Sequence, residues 1–399
     1  MTGMVLEKIK EILEKCVRCG KCRARCPSLD ASDEGTPRWE IYSPRGRMRL
    51  AEGLLEGKVT PTRKLQDALY TCFVCNQCVE ECPSMAGISD VIIETRRQLV
   101  KGGNAPEDVV QVQDTIIESS NIFDMEQEER VELWSMDVEE LVEGKINKPA
   151  DLLYFVGCQA SFRGNLARIP VRMVQILEKL DINYTLLGEQ EECCGDPLEL
   201  TGASKEEIKA LASRNIEKIK KLGVKEVIFT CPGCYRMFKQ VYPEILGMVL
   251  TFKMSMISEF LLAKIKTGDI DLSSIPAGRV VYHDPCELGR HMSMYDPPRE
   301  LIKSIPGIDF VEFKENRENS VCCGMGGGVA MHDRHVSNLQ ARKKAHAIDE
   351  SEAEIVITHC PACFQGISNA TMRIEKEDNS TVRVMDLVEL IALAMGIKD

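Results

Sequence analysis

No apolar run in this 399-residue sequence is long enough to span a bilayer. The best stretches, Ile245 to Phe252 and Leu390 to Ile397, would each make one strand or a short helix. Positive charge is also scarce: 50 lysines and arginines stand against 62 aspartates and glutamates, a formal net charge of -12. A nucleic-acid binder needs basic surface to displace counterions, so that class is excluded. The N-terminus lacks the cationic-then-apolar pattern of a secretory signal, because Glu7 and Lys8 follow Met4-Val5-Leu6 at once. The expectation is a cytoplasmic protein that reaches a membrane face only through a partner. There is no serine–histidine–acid set, no phosphate-binding P-loop and no flavin fingerprint. A chain without its own hydride carrier that handles electrons must take them from a partner: a flavoprotein, a b-type cytochrome or a ferredoxin.

Cysteine, by contrast, is abundant. All 18 cysteines fall into four ordered groups. Two are the runs Cys16-Cys19-Cys22-Cys26-Pro27 and Cys72-Cys75-Cys78-Cys82-Pro83, each spaced C-x2-C-x2-C-x3-C-P. Two are longer sets: Cys158, Cys193, Cys194, Cys231 and Cys234, then Cys286, Cys322, Cys323, Cys360 and Cys363. Disulfide-rich secreted proteins are usually short and carry a signal, so reduced thiolates binding metal fit better. In the two runs, three thiolates wrap one cubane and the fourth reaches the neighbouring cluster. That logic groups Cys16, Cys19, Cys22 and Cys82 around one 4Fe-4S cluster, and Cys72, Cys75, Cys78 and Cys26 around another. Structural zinc is the alternative, but it normally takes two knuckles separated by a longer loop. Around the first run Arg18, Lys21, Arg23 and Arg25 interleave with the cysteines; around the second stand Asn76, Gln77, Glu80 and Glu81. This predicts a higher potential for the first cluster, since positive charge favours the reduced form.

The apolar pattern predicts a helix over residues 2 to 15 with Val5, Leu6, Ile9, Ile12 and Leu13 on one face, and further helices over 48–55 and 88–100. Ser43-Pro44-Arg45-Gly46-Arg47 reads as a turn before the second of these, and Gly57 as its end. We divide the chain into residues 1–105 with the two runs, an acidic helical connector 106–148, and repeats 149–275 and 276–399. The last two are an internal duplication. Leu152 to Cys158 corresponds to Val280 to Cys286, and Glu226 to Cys234 to Glu354 to Cys363, with one extra residue placed before Cys360. Each repeat alternates strands and helices, which predicts an α/β unit with a mainly parallel sheet. Its cysteines then sit at strand ends, where such sheets place ligands. Cys-Pro-x-Cys at 231–234 and 360–363 could alone be a redox dithiol, but each is tied to three further cysteines. Gly324-Met325-Gly326-Gly327-Gly328 lacks the third glycine position of a dinucleotide loop and reads as backbone brought close to a cluster or substrate.

With both five-cysteine sets carrying Cys-Cys-Gly, the chain resembles the CCG-domain iron–sulfur oxidoreductases over nearly its full length, and within them the heterodisulfide reductase D type. The resemblance implies an α-helical ferredoxin-like domain ahead of the duplicated CCG domain. It implies that each five-cysteine set holds a noncubane 4Fe-4S cluster, beside two cubane clusters. The activity it implies is reduction of a small-molecule disulfide, of the coenzyme M–coenzyme B type, to two thiols. Cys193, Cys194, Cys322 and Cys323 would act through the bound clusters, in the setting of methanogenesis in an anaerobe. Similar architecture, including a motif like Ser43 to Arg47, occurs in electron-relay subunits of flavin-linked lactate, glycolate and glycerol-3-phosphate dehydrogenases. The completeness of both sets tilts the expectation toward disulfide reduction.

Beyond the cysteines, His283 and His359 precede cluster cysteines and could hydrogen-bond a cluster sulfur or protonate a product thiolate. Packing beside a ligand is the plainer alternative. Arg163 and Arg290 follow the first cysteine of each repeat and could meet an anionic substrate group, or form surface ion pairs. His332 and His335 are one turn apart if helical, and solvent exposure is the expectation for both.

Overall fold

The computed structural model describes residues 3–31, 39–378 and 382–397. Its C-terminal two-thirds hold two four-stranded, all-parallel sheets. The first is built from β1 (Leu152–Phe155), β2 (Tyr184–Thr185), β3 (Glu226–Phe229) and β4 (Lys253–Met256), in the order β2-β1-β3-β4. The second repeats that order with β5 (Arg279–His283), β6 (Asp309–Val311), β7 (Ile355–Thr358) and β8 (Arg383–Asp386), as β6-β5-β7-β8. Parallel strands covered on both faces read as continuous apolar runs. The central Leu152-Leu153-Tyr154-Phe155 is accordingly buried throughout.

Side chains alternate across each sheet. Leu152 and Tyr154 enter a core shared by both repeats, together with Val280, Tyr282, Ile228 and Ile357. Leu153 and Phe155 enter a separate core under the helix Lys205–Leu222. The shared core has a reciprocal plan. The crossover helix Arg168–Lys179 of the first repeat packs on the final helix Leu387–Ala394 of the second. The final helix Ile257–Lys266 of the first packs on the crossover helix Asp296–Lys303 of the second. The two repeats thus meet through these helix pairs, which close the shared core between the sheets.

Strand register corrects the alignment read from the sequence. Leu152 pairs with Glu226 in the first sheet, and Val280 with Ile355 in the second. Phe229 therefore corresponds to Thr358, and Thr230 to His359. The extra residue of the second repeat lies between Cys286 and Cys322, not beside Cys360. The fourth strands, β4 and β8, also escape the pattern reading. They are edge strands whose first residues, Lys253 and Arg383, are exposed and polar.

The N-terminal part is helical. Ser43 caps the helix Pro44–Leu55, accepting the Gly46 N–H at 3.0 Å, with Pro44 in its first turn. The segment expected as a preceding turn is thus the helix start itself. Ile9 and Ile12 of the helix Gly3–Lys15 pack toward the helix Ile88–Lys101; the side chains of Val5 and Leu6 lie outside the described residues. The acidic segment is more than a tether. Trp134, Val138 and Val142 enter the shared core, and Ile116 enters the core beneath Lys205–Leu222.

Candidate functional site

In each sheet the chain leaves the central strand in one direction and returns on its other side. The crevice is then outside the carboxyl ends of β1 and β3, or β5 and β7. Cys158 and Cys231 follow β1 and β3, and Cys286 and Cys360 follow β5 and β7. The Cys-Cys-Gly pairs arrive from loops, and Gly195 and Gly324 take φ of 84° and 86°, a region that glycine enters without strain.

Within each set the thiols form a contact chain. Cys323 and Cys363 lie 3.1 Å apart. Cys323 sits between Cys322 and Cys363, and hydrogen bonds from both hold its thiol well below the usual range. Cys194 repeats this between Cys193 and Cys234 and is lowered for the same reason. The second cysteine of each pair is therefore the one most readily present as thiolate. The two sets face a common cavity of about 950 Å³ including its mouth, lined by Cys158, Cys193, Cys194, Cys231 and Cys234 from one repeat and Cys286, Cys323, Cys360 and Cys363 from the other. A buried ion-pair bridge ties its walls: Arg236 pairs with Asp196 at 2.8 Å and also with Glu287. Asp196 follows the first Cys-Cys-Gly and Glu287 follows Cys286, so the bridge spans the two repeats.

A second buried ion pair shapes the loop after β1. Glu191 accepts the N–H groups of Val156 and Gly157 at 2.9 and 2.8 Å and pairs with Arg130 at 2.9 Å. Arg130 also reaches the Cys158 thiol at 3.7 Å. Removing the carboxylate in Glu191→Ala leaves a buried guanidinium without its counter-charge. The expected cost is about 3–5 kcal/mol, read from anaerobic urea unfolding against the parent protein.

In the N-terminal part the thiols of the two runs crowd together. Cys22 is pushed up to about 11 by burial and then by the thiols of Cys16, Cys82, Cys26 and Cys19. Burial raises Cys78 well above its ordinary value, and Cys72, Cys75 and Cys26 add to it. Crowded thiolates repel one another, and a bound cation removes that cost; the donor chemistry of all four groups therefore fits iron–sulfur clusters. The basic residues of the first run are largely neutralised. Arg18 pairs with Glu52 at 2.7 Å, Arg23 with Glu40 at 3.0 Å, and Arg25 with Glu81 at 3.3 Å and Glu315 at 3.1 Å. These pairs remove most of the charge excess on which the expected potential difference rested.

The two parts meet at sulfur. Cys75 packs in one buried cluster with Cys322, and that neighbouring thiol together with burial raises Cys75 well above its ordinary value. Arg290 clamps this contact: it donates to the Cys75 carbonyl and, at 2.9 Å, to the Ser320 carbonyl. His291 adds a bond to the Val74 carbonyl at 2.8 Å. The glycine run closes the same seam. A Cβ on Gly327 would collide with the Cys72 carbonyl oxygen and Phe73 backbone. Gly326, Gly327 and Gly328 also line the cavity.

Other sequence candidates lie elsewhere. Arg163 stacks over the Phe123 ring at 5.0 Å, and neither it nor Arg290 lines the cavity between the sets. His283 and His359 are buried, and neither lines that cavity. Burial lowers His359 to about 3 and His283 well below its ordinary value. His332 is held between Asp67 and Asp108 at 3.3 and 3.1 Å, not left in solvent. His335 lies in the next helix, Arg334–Asp349, and is exposed.

Sequence comparison matches this architecture. Residues 152–239 and 280–368 each match the cysteine-rich CCG domain, and residues 12–86 match the 4Fe-4S dicluster domain. The dihydromethanophenazine:CoB–CoM heterodisulfide reductase D polypeptide of Methanosarcina barkeri is 33% identical over 96% of this chain and 94% of its own length. The chain belongs to the CCG-domain iron–sulfur oxidoreductase family. The relatives of this CCG oxidoreductase extend beyond methanogens. The probable iron-sulfur-binding oxidoreductase FadF of Bacillus subtilis is 29% identical over 82% of this chain and 46% of its own. The EtfAB:quinone oxidoreductase of Syntrophomonas wolfei is 25% identical over 96% and 58%. A crystal structure of a hypothetical protein from Helicobacter pylori shares the fold, with a TM-score of 0.61 and 13% identity, covering 100% of this chain and 74% of that one. No helix among the described residues is long and apolar enough to cross a membrane.

Proposed function

We propose that this CCG oxidoreductase takes electrons through two cubane 4Fe-4S clusters and reduces a small-molecule disulfide at two noncubane clusters. The observation that carries this reading is the single cavity faced by both five-cysteine sets. The ligands would be Cys16, Cys19, Cys22 and Cys82, then Cys72, Cys75, Cys78 and Cys26, for the cubanes. For the noncubane sites they would be Cys158, Cys193, Cys194, Cys231 and Cys234, and Cys286, Cys322, Cys323, Cys360 and Cys363. Clusters so bound supply one-electron transfers, and two electrons with two protons convert a disulfide to two thiols.

The chain's own residues define the rest. The Cys75–Cys322 contact joins the second ferredoxin-type group to the second CCG set and is the natural electron entry. Arg290 positions it, and Arg236 with Asp196 and Glu287 holds the cavity walls together. Arg290→Met is expected to lower turnover by about tenfold or more, in the range for losing an outer-shell partner of a metal site, with iron content unchanged. Freeze-quench EPR would place the delay between the cubane and CCG signals. Electrons would come from a donor subunit: a b-type cytochrome membrane protein, a flavoprotein or a ferredoxin. The expected place is the cytoplasm, or the cytoplasmic membrane face through that partner.

The test is anaerobic turnover of cluster-loaded protein with reduced viologen and the coenzyme M–coenzyme B disulfide. Viologen oxidation dependent on the disulfide supports the reading. Full cluster content without turnover would favour the other reading, an electron-relay subunit of a flavin-linked dehydrogenase; the kinship with the Syntrophomonas wolfei quinone oxidoreductase favours testing it.

A further inference from the structure

The two CCG sites share a plan but not a lining. Register pairs Phe155 with Phe229 beside the first set, and His283 with Thr358 at the matching place beside the second. Phe155 and Phe229 stack with Phe238 in an apolar cluster, with centroids 5.0 to 5.8 Å apart. Both imidazole nitrogens of His283 and the Thr358 hydroxyl are buried without a hydrogen-bond partner.

The helices behind the sets differ in the same sense. Ser204 caps the helix Lys205–Leu222 as Asp333 caps Arg334–Asp349, so Asn215 corresponds to Lys344. Asn215 donates to the Cys193 carbonyl at 3.2 Å. In the second repeat that task falls to Gln340, which donates to the Cys322 carbonyl at 3.0 Å. Lys344 is fully buried, lies 3.7 Å over the Phe313 ring, and has no hydrogen-bond partner for its ammonium. One imidazole nitrogen of His283 and the sulfurs of Cys323 and Cys363 lie within 4.8 Å of one another. A buried donor left without a partner is costly, so the His283 imidazole beside the Cys323 and Cys363 sulfurs, with Lys344 in electrostatic reach of the same thiols, points to an acceptor there.

We propose that His283 and Lys344 donate hydrogen bonds to the sulfur atoms of the cluster held by the second set, making it the higher-potential member of the pair. The inference rests on the cluster reading of the two sets. Donors and positive charge beside a cluster stabilise its reduced form. The first set has apolar Phe155 at the place of His283, and the charge of Arg130, which donates to the Cys158 sulfur at 3.7 Å, is matched by Glu191. The second site would hold the electron arriving through Cys75 and Cys322.

The experiment uses full-length, cluster-loaded protein labelled with 15N-histidine, studied by pulsed EPR. The second-set signal is identified as the one altered by Cys360→Ser. A histidine nitrogen coupling on that signal, lost in His283→Phe, is expected. In Lys344→Met and His283→Phe the midpoint of that signal should shift to more negative potential while the first-set signal stays in place. Labelling of the parent protein needs no variant, so a misfolded His283→Phe leaves the test intact. Absence of histidine coupling with unmoved midpoints would overturn the inference, and so would a coupling that survives His283→Phe. Iron and sulfide analysis separates the two levels. A second set without iron would overturn the cluster reading itself, whereas a filled second set with neither nitrogen coupling nor moved midpoints would overturn this inference alone.

Discussion

Serine in place of Cys194 or Cys323 is expected to abolish disulfide-dependent viologen oxidation. The fall should be about 100-fold or more, since even outer-shell changes at metal sites cost 10- to 100-fold. Each of these thiols is the middle of its set. Cys323 lies between Cys322 and Cys363, and Cys194 between Cys193 and Cys234. Removing an outer cysteine shortens the chain of contacts; removing the central one divides it. Both sets line one cavity, so either substitution should suffice. Anaerobic assays with iron analysis check this. The N-terminal groups should keep their iron and their EPR signals, because their thiols are contributed by a separate helical region. A Cys194→Ser protein with full turnover would remove the first set from the chemistry.

Methionine at Arg96 should be the most damaging change outside the cysteines. This guanidinium is fully buried and has no carboxylate partner among its hydrogen bonds. It donates to the carbonyls of Leu69 and Cys72 in the helical part, to Leu200 at 2.6 Å in the first repeat, and to Gly327 at 2.8 Å in the second. It also lies 4.9 Å from the Tyr70 ring. One side chain therefore joins three parts of the molecule. Arg96→Met fills much of the volume but leaves four buried carbonyls short of a donor. At about 1–3 kcal/mol for each unsatisfied group, and with partial relaxation, the loss should be on the order of 4–5 kcal/mol. Anaerobic urea unfolding, followed by far-UV circular dichroism and cluster absorbance, checks it. If the unfolding midpoint does not move, the docking is held elsewhere. Arg97, paired with Glu94 at 2.8 Å and Glu199 at 2.7 Å, is the nearest substitute.

Arg96 had a signal in the sequence. It stands four residues after Ile92 and three before Leu99, on the apolar face of Ile88–Lys101, where a charge is out of place. The pattern shows that such an arginine is buried but cannot name its acceptors, which lie as far away as Leu200 and Gly327. Arg47 is similar: it donates to the Ala68 carbonyl at 2.6 Å and to Ser28, pinning the helix start beneath Cys26. Read along the chain, it was one residue of a turn.

The cysteine groups, the duplication and the strand–helix alternation are determined by the sequence alone. Metal ligation fixes short spacings along the chain, and a parallel sheet writes its burial into consecutive residues. The meeting of the groups was decided only by tertiary structure. Cys75 touches Cys322, both five-cysteine sets open into one cavity, and His283 and Lys344 converge behind the second set. These contacts join residues far apart in sequence, through the packing of three parts against one another. No local spacing encodes that packing, so a histidine and a lysine that look ordinary in the sequence become unpartnered donors only when the core closes around them.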